Sequence, residues 1–194
     1  MFERLQEIDR IATLAINSLN SPVSDSFWQL MSDSKVWIPF YVLLVLFIIN
    51  KLGPRKAIVV ILSVALTVLL CEQLANLVKD SVGRLRPCYD SWCVKGNLHI
   101  LERRGSLYGF FSAHAANAFG VAICCIVGVN GNVRRTSGGF ALWLILWATL
   151  VAVSRVFVGK HFMGDVLAGS AVGLIIGYLT ARLARQIMYR LRIL

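Results

Sequence analysis

The segment Ser154-Arg155-Val156-Phe157-Val158-Gly159-Lys160-His161-Phe162-Met163-Gly164-Asp165 sets a histidine and a carboxylate four residues apart. On a helix that spacing puts His161 and Asp165 on one face. An aspartate that accepts a hydrogen bond from one imidazole nitrogen fixes the tautomer. The lone pair of the other nitrogen is then free to attack an electrophile. Asp165 would also stabilise the charged imidazole that forms. The same pair could instead be two metal ligands, but a divalent site normally takes three or four. His99 and His114 are the only other histidines. We therefore expect no metal and no cofactor.

Two earlier segments supply charge and a second imidazole. Glu72, Asn76 and Lys79 fall at i, i+4 and i+7, one helix face, and charges within a membrane helix usually face a protein interior. The stretch Asp80-Ser81-Val82-Gly83-Arg84-Leu85-Arg86-Pro87 then breaks the helix and brings Arg86 close. A basic cluster meeting lipid headgroups is the alternative. Further on, Phe111-Ser112-Ala113-His114 opens an apolar run, so first-turn N–H groups, including that of Ala113, favour an anion. Ser112 adds a hydroxyl and His114 a group that exchanges protons near neutral pH, with Asn117 one turn on to orient it. A capped helix with an interfacial histidine is the alternative here. With His161 attacking, His114 donating a proton, and Lys79, Arg86 and Arg155 as cations, the set suits in-line phosphoryl transfer onto histidine. Losing one such cation typically costs about 3 to 4 kcal/mol of transition-state stabilisation.

What must position these residues is a membrane bundle. Of 194 residues 57% are hydrophobic, and the mean hydropathy is +0.69, too apolar for a soluble domain of this size. Five apolar runs emerge: Val36 to Ile49, Ala57 to Val78, Phe110 to Val129, Phe140 to Val153 and Val166 to Ala181. Some need flanking residues to reach the ~20 that cross the hydrocarbon core. The net charge of +10 would suggest nucleic acid in a soluble protein. Here the basic residues instead end the apolar runs, at Lys51/Arg55/Lys56, Arg134/Arg135 and Arg182/Arg185/Arg190/Arg192, as cytoplasmic loops do. Residues 79–109 and 154–164 then lie outside, which gathers the polar candidates on one side. We expect one all-α, membrane-embedded domain over residues 1–194, with five spans and an N-terminal segment, residues 1–35, holding an interfacial amphipathic helix. A sixth span near residues 11–30 is the alternative. Met1-Phe2-Glu3-Arg4 is not a basic leader, so no cleaved signal peptide is expected. Gly169, Gly173 and Gly177 repeat at four-residue spacing and predict close approach of another helix. Cys88 and Cys93 flank a short loop, and a disulfide between them is open if that loop faces an oxidising compartment.

The three segments resemble the signature of the type 2 phosphatidic acid phosphatase superfamily: Lys-x6-Arg-Pro, Pro-Ser-Gly-His and Ser-Arg-x5-His-x3-Asp. Lys79, Arg86 and Pro87 match the first, and Ser154, Arg155, His161 and Asp165 the third. The second departs, with Phe111 for Pro and Ala113 for Gly, while Ser112 and His114 remain. An alanine still offers its backbone N–H. The resemblance implies a metal-independent, two-step hydrolysis. His161 takes the phosphoryl group, His114 protonates the leaving oxygen, and water cleaves the phosphohistidine. It also implies a lipid phosphate substrate in a bacterial inner membrane, with the site on the outer face and no obligate protein partner. Undecaprenyl pyrophosphate is favoured by family analogy, with phosphatidylglycerol phosphate, phosphatidic acid and lipid A phosphates as alternatives. A membrane protein that binds phospholipid without hydrolysis is the competing class. The His161–Asp165 pair argues against it.

Overall fold

The computed structural model describes residues 2–130 and 138–193, so Arg134 and Arg135 lie outside the described residues. The chain begins with helices α1 (Phe2–Asn17) and α2 (Pro22–Ser32). Ser21 and Ser24 cap the second reciprocally: Ser24 N–H donates to Ser21 Oγ at 3.2 Å, and Ser21 N–H to Ser24 Oγ at 2.8 Å. Pro22 fits the first turn, where a missing N–H is harmless. This cap divides the segment into helices of 16 and 11 residues; α1 carries Glu3, Arg4, Glu7, Asp9 and Arg10, α2 is shorter still, and neither offers the continuous apolar stretch that the sixth span considered above needs.

Each of the five apolar runs becomes a helix: α3 (Ile38–Leu52), α4 (Pro54–Val82), α6 (Ala113–Asn130), α7 (Gly138–Phe157) and α8 (Met163–Arg190). Four of them are long and apolar enough to cross a membrane, and α3, with 15 residues, is the shorter apolar fifth. Between α4 and α6 lie a 3₁₀ turn (Pro87–Tyr89) and the short helix α5 (Ser91–Lys95). Leucines such as Leu43, Leu62, Leu69, Leu142, Leu146 and Leu179 stay exposed on the outer faces, which a bilayer satisfies and water does not.

Helix α6 is the centre. Its small residues Ala115, Ala116, Ala118, Gly120 and Ala122 are buried, and α4, α7 and α8 all pack on it. The glycine stripe of α8 lies directly on its backbone. A β-carbon at Gly169, Gly173 or Gly177 would collide with the carbonyls of Ser112, Ala116 and Gly120 respectively. The packing role expected of these glycines is realised. On the far side, Phe40 of α3 stacks on Trp147 of α7 with centroids 4.6 Å apart.

Helix α1 turns its polar side inward. Leu5, Ile8 and Ile11 are exposed, whereas Thr13 and Asn17 are buried. Asn17 Nδ2 donates to the carbonyls of His99 and Phe157, both at 2.9 Å, and Asn17 Oδ1 accepts from His99 N–H at 2.7 Å. The amphipathic helix read from the sequence thus uses part of its polar face to hold the loops at one end of the bundle.

Candidate active site

The C-terminal ends of α4 and α7 and the N-terminal ends of α6 and α8 meet at this end of the bundle, which is why residues 86 positions apart converge. The connection after α4 is pinned by a bridge between Leu85 and Tyr108. Arg86 N–H donates to the Leu107 carbonyl at 3.0 Å, and Gly109 N–H to the Arg84 carbonyl at 2.9 Å. Arg86 is thereby delivered to the centre. Its Nη1 lies 3.2 Å from His161 Nε2, and its Nη2 donates to Ser106 Oγ at 2.9 Å.

A guanidinium has donors only, so this contact requires a lone pair on His161 Nε2 and places the ring proton on Nδ1. Nδ1 faces Asp165 Oδ2 at 3.5 Å, slightly beyond hydrogen-bond length, and has no other partner among the described residues. Helix α8 begins at Met163 rather than at His161, with Phe162 as its cap, yet the i, i+4 pair still meets. His161 is 2% exposed. Burial, then the Arg86, Arg155 and Lys79 cations, hold its pKa well below the ordinary 6.5. Both effects favour the neutral imidazole, the state a nucleophile needs.

Asp165 is fully buried. Its Oδ2 accepts from Phe162 N–H at 3.1 Å, and its Oδ1 meets Arg84 Nη1 at 2.7 Å. Arg84 also reaches Asp9 of α1 at 2.6 Å and lies over the Phe162 ring. Asp9 and Thr13 accept the first N–H groups of α8, from Gly164 at 2.7 Å and Met163 at 3.0 Å. An N-terminal helix therefore orders the turn that carries His161.

Arg155, 5% exposed, is held by Ser32, through its carbonyl and hydroxyl, and by Glu102 at 3.4 Å. Lys160 lies 3.9 Å from the same carboxylate and donates to the Arg103 carbonyl. Ser112 is fully buried; its N–H donates to the Asp165 carbonyl at 3.0 Å and its hydroxyl accepts from Ala115 N–H. It caps α6, as the alternative reading held, and its own N–H is not free for a phosphate. Ala113 is buried beside it, and Lys79 is half-buried at the end of α4. His114 Nε2 meets Ser34 Oγ at 3.3 Å. The sequence suggested that Asn117 orients this imidazole; instead its Nδ2 donates to Glu72 Oε1. Asn76, grouped with Glu72 and Lys79 by spacing, is exposed instead. Cys88 and Cys93 are buried free thiols, and burial, with Asp90 adding, pushes the Cys93 pKa up to about 12.

Beside His114 a cavity of about 360 Å³ descends between α3, α4 and α6, with Ser34, Glu72 and Asn117 at its polar end and Leu44, Ile48, Val64 and Val121 along its apolar walls. A site with charge at the rim and an apolar slot leading into the bundle fits an amphiphile.

The PAP2 superfamily model matches residues 56–189, which hold every one of these motifs. The chain belongs to the PAP2 superfamily. It is a phosphatase of that superfamily by the same match and by its relatives. A lipid A 4'-phosphatase of Bacteroides thetaiotaomicron is 30% identical, covering 99% of this chain and 84% of its own length. A lipid A 4'-phosphatase of Porphyromonas gingivalis is also 30% identical, covering 91% and 72%. An undecaprenyl-diphosphatase of Sulfolobus acidocaldarius is 29% identical, covering 76% and 63%. Among solved structures, the transmembrane PAP2 type phosphatidylglycerolphosphate phosphatase of Bacillus subtilis superposes with a TM-score of 0.72 at 20% identity, covering 95% of this chain and 88% of that one. Aquifex aeolicus LpxE does so with a TM-score of 0.63 at 23% identity, covering 91% and 94%. These two likenesses establish the fold.

Within this PAP2 chain, the residues that motif reading missed are those that hold the motif residues: Asp9, Ser32, Ser34 and Glu102. One had a signal. Glu102 is the sole acidic residue between Asp90 and Asp165.

Proposed function

We propose that this PAP2 phosphatase hydrolyses the phosphate monoester of a membrane glycolipid of the lipid A type, without a metal, through a phosphohistidine. His161 Nε2 attacks phosphorus; Arg86, Arg155 and Lys79 neutralise the equatorial oxygens. His114 protonates the leaving oxygen and then activates the water that cleaves the phosphorus–nitrogen bond. The observation that carries this reading is the 3.2 Å contact between Arg86 and the His161 Nε2 lone pair, with Asp165 behind the ring. A phosphate arriving on that guanidinium meets the nucleophile at once. The lipid A assignment draws on two relatives of that name that match over most of their length.

We place the site at the outer face of a bacterial inner membrane. Support comes from charge: Lys51, Arg55 and Lys56 at the α3–α4 turn and Arg182, Arg185 and Arg190 near the end of α8 all lie at the opposite end of the bundle, as cytoplasmic loops require.

A second reading, hydrolysis of undecaprenyl diphosphate, is favoured by the Sulfolobus relative. The test is phosphate release by purified protein from a panel of lipid mono- and diphosphates in EDTA. A glycolipid monophosphate should be the best substrate, His161→Ala should abolish turnover, and His114→Ala should reduce it at least a hundredfold, about the weight of a general acid. Full activity in His161→Ala sinks the mechanism.

A further inference from the structure

Helix α4 carries a single acidic residue inside its apolar run, Glu72, and the bundle directs it to the cavity that ends at His114. A carboxylate at that depth is expensive and marks a functional group. Its Oε1 accepts from Asn117 Nδ2. Among the described residues no hydrogen bond engages its Oε2, and Asn117 Oδ1 is buried without a partner.

The site thus divides by chemistry. On the His161 side stand Arg86 and Arg155, donors that suit phosphoryl oxygens. On the His114 side, one turn below the imidazole, stand acceptors and a negative charge. In an in-line displacement the leaving oxygen departs on the side away from His161, toward the group that protonates it. Acceptors there call for hydroxyl or amide donors on the leaving group. The Glu72 carboxylate disfavours a leaving group that is itself an anion.

We propose that Glu72 and Asn117 form a subsite for a neutral, hydroxyl-bearing leaving group, as a phosphorylated sugar headgroup supplies, and select against lipid diphosphates, whose leaving group is a phosphate. The proposal rests on the phosphatase reading above and decides between its two substrate classes. The apolar slot below then receives an acyl chain of the same molecule.

The experiment compares kcat/KM of the full chain on a phosphorylated disaccharide glycolipid and on a polyprenyl diphosphate, for the wild type, Glu72→Gln and Glu72→Ala. The ratio of the two within one preparation cancels any loss of folded enzyme. The wild type should prefer the glycolipid. Glu72→Ala should shrink the ratio about tenfold or more, the weight of a hydrogen bond to a charged group. Glu72→Gln should shrink it by raising the diphosphate arm. A wild-type preference for the diphosphate, or ratios that stay constant while both activities fall, overturns the subsite. A wild type inactive on both lipids and on phosphatidic acid removes the phosphatase reading, and the subsite with it.

Discussion

Arg84 Nη1 lies 2.7 Å from Asp165 Oδ1, and the other arm of the same guanidinium lies 2.6 Å from Asp9 on the N-terminal helix. The carboxylate behind His161 is thus fully buried and paired with one residue that a second helix holds in place. Removing one partner of a buried pair costs about 3 to 5 kcal/mol, because the other charge is left unpaired. Arg84→Ala should lower the melting temperature in detergent by several degrees and reduce kcat far more than it raises KM. Arg84→Lys should rescue only part, since an ammonium cannot fork to two carboxylates. A variant with wild-type stability and turnover would refute this positioning role.

The pH dependence follows from His161. Its folded pKa is held well below 6.5 by burial first and then by Arg86, Arg155 and Lys79. Between that value and about 6.5 the unfolded chain binds a proton that the folded one refuses, so stability falls as pH drops below about 6.5 and is unaffected above it. The acid limb of kcat/KM should lie below pH 6.5. Arg86→Gln should move that limb upward by removing one of the depressing cations. An acid limb at or above the ordinary histidine value in the wild type contradicts a buried neutral imidazole.

Glu102 holds both Arg155 and Lys160, so it offsets positive charge where a phosphate would sit. Glu102→Gln should strengthen inhibition by vanadate, a mimic of the trigonal-bipyramidal transition state, by about fivefold for 1 kcal/mol of released field. It should lower the melting temperature at the same time, because Arg155 loses an anionic partner. Weaker vanadate binding in this variant would show that Glu102 orients Arg155 rather than competing for it.

Gly173 lies against the Ala116 carbonyl, and any β-carbon there forces α8 away from α6. Gly173→Val should destabilise the fold by about 1 to 3 kcal/mol, the usual cost of overpacking. It should also slow turnover, since α6 carries His114 and α8 carries Asp165. Thermal unfolding of Gly173→Val beside the exposed control Ala171→Val separates this packing from the generic effect of a larger, β-branched side chain on the helix.

The helices were legible because apolar runs in lipid have few alternatives: each backbone group must be satisfied within its own segment. The runs at Ala57 to Val78 and Phe140 to Val153 became α4 and α7, and the glycines of Val166 to Ala181 packed as their spacing indicated. The pairing of His161 with Asp165 was legible too, although His161 precedes α8: the cap at Phe162, whose N–H donates to Asp165 Oδ2, brings the two together at the helix start. Asn117 misled because one turn of spacing from His114 says nothing about Glu72, 45 residues away, which captures its amide. The alternative of a sixth span was not realised, because the reciprocal Ser21–Ser24 cap divides that stretch into two helices.

The sequence by itself determined the superfamily and the helices that make up the bundle, since motif residues and apolar periodicity are local and survive any arrangement of the bundle. Only the tertiary structure decided what surrounds that chemistry. Asp9 behind Arg84, Ser34 on His114, Glu102 on Arg155 and Glu72 on Asn117 are contacts between segments 45 to 80 residues apart. Such contacts follow from which helix ends the packing of α4, α7 and α8 around α6 brings together. No periodicity within a single segment encodes them.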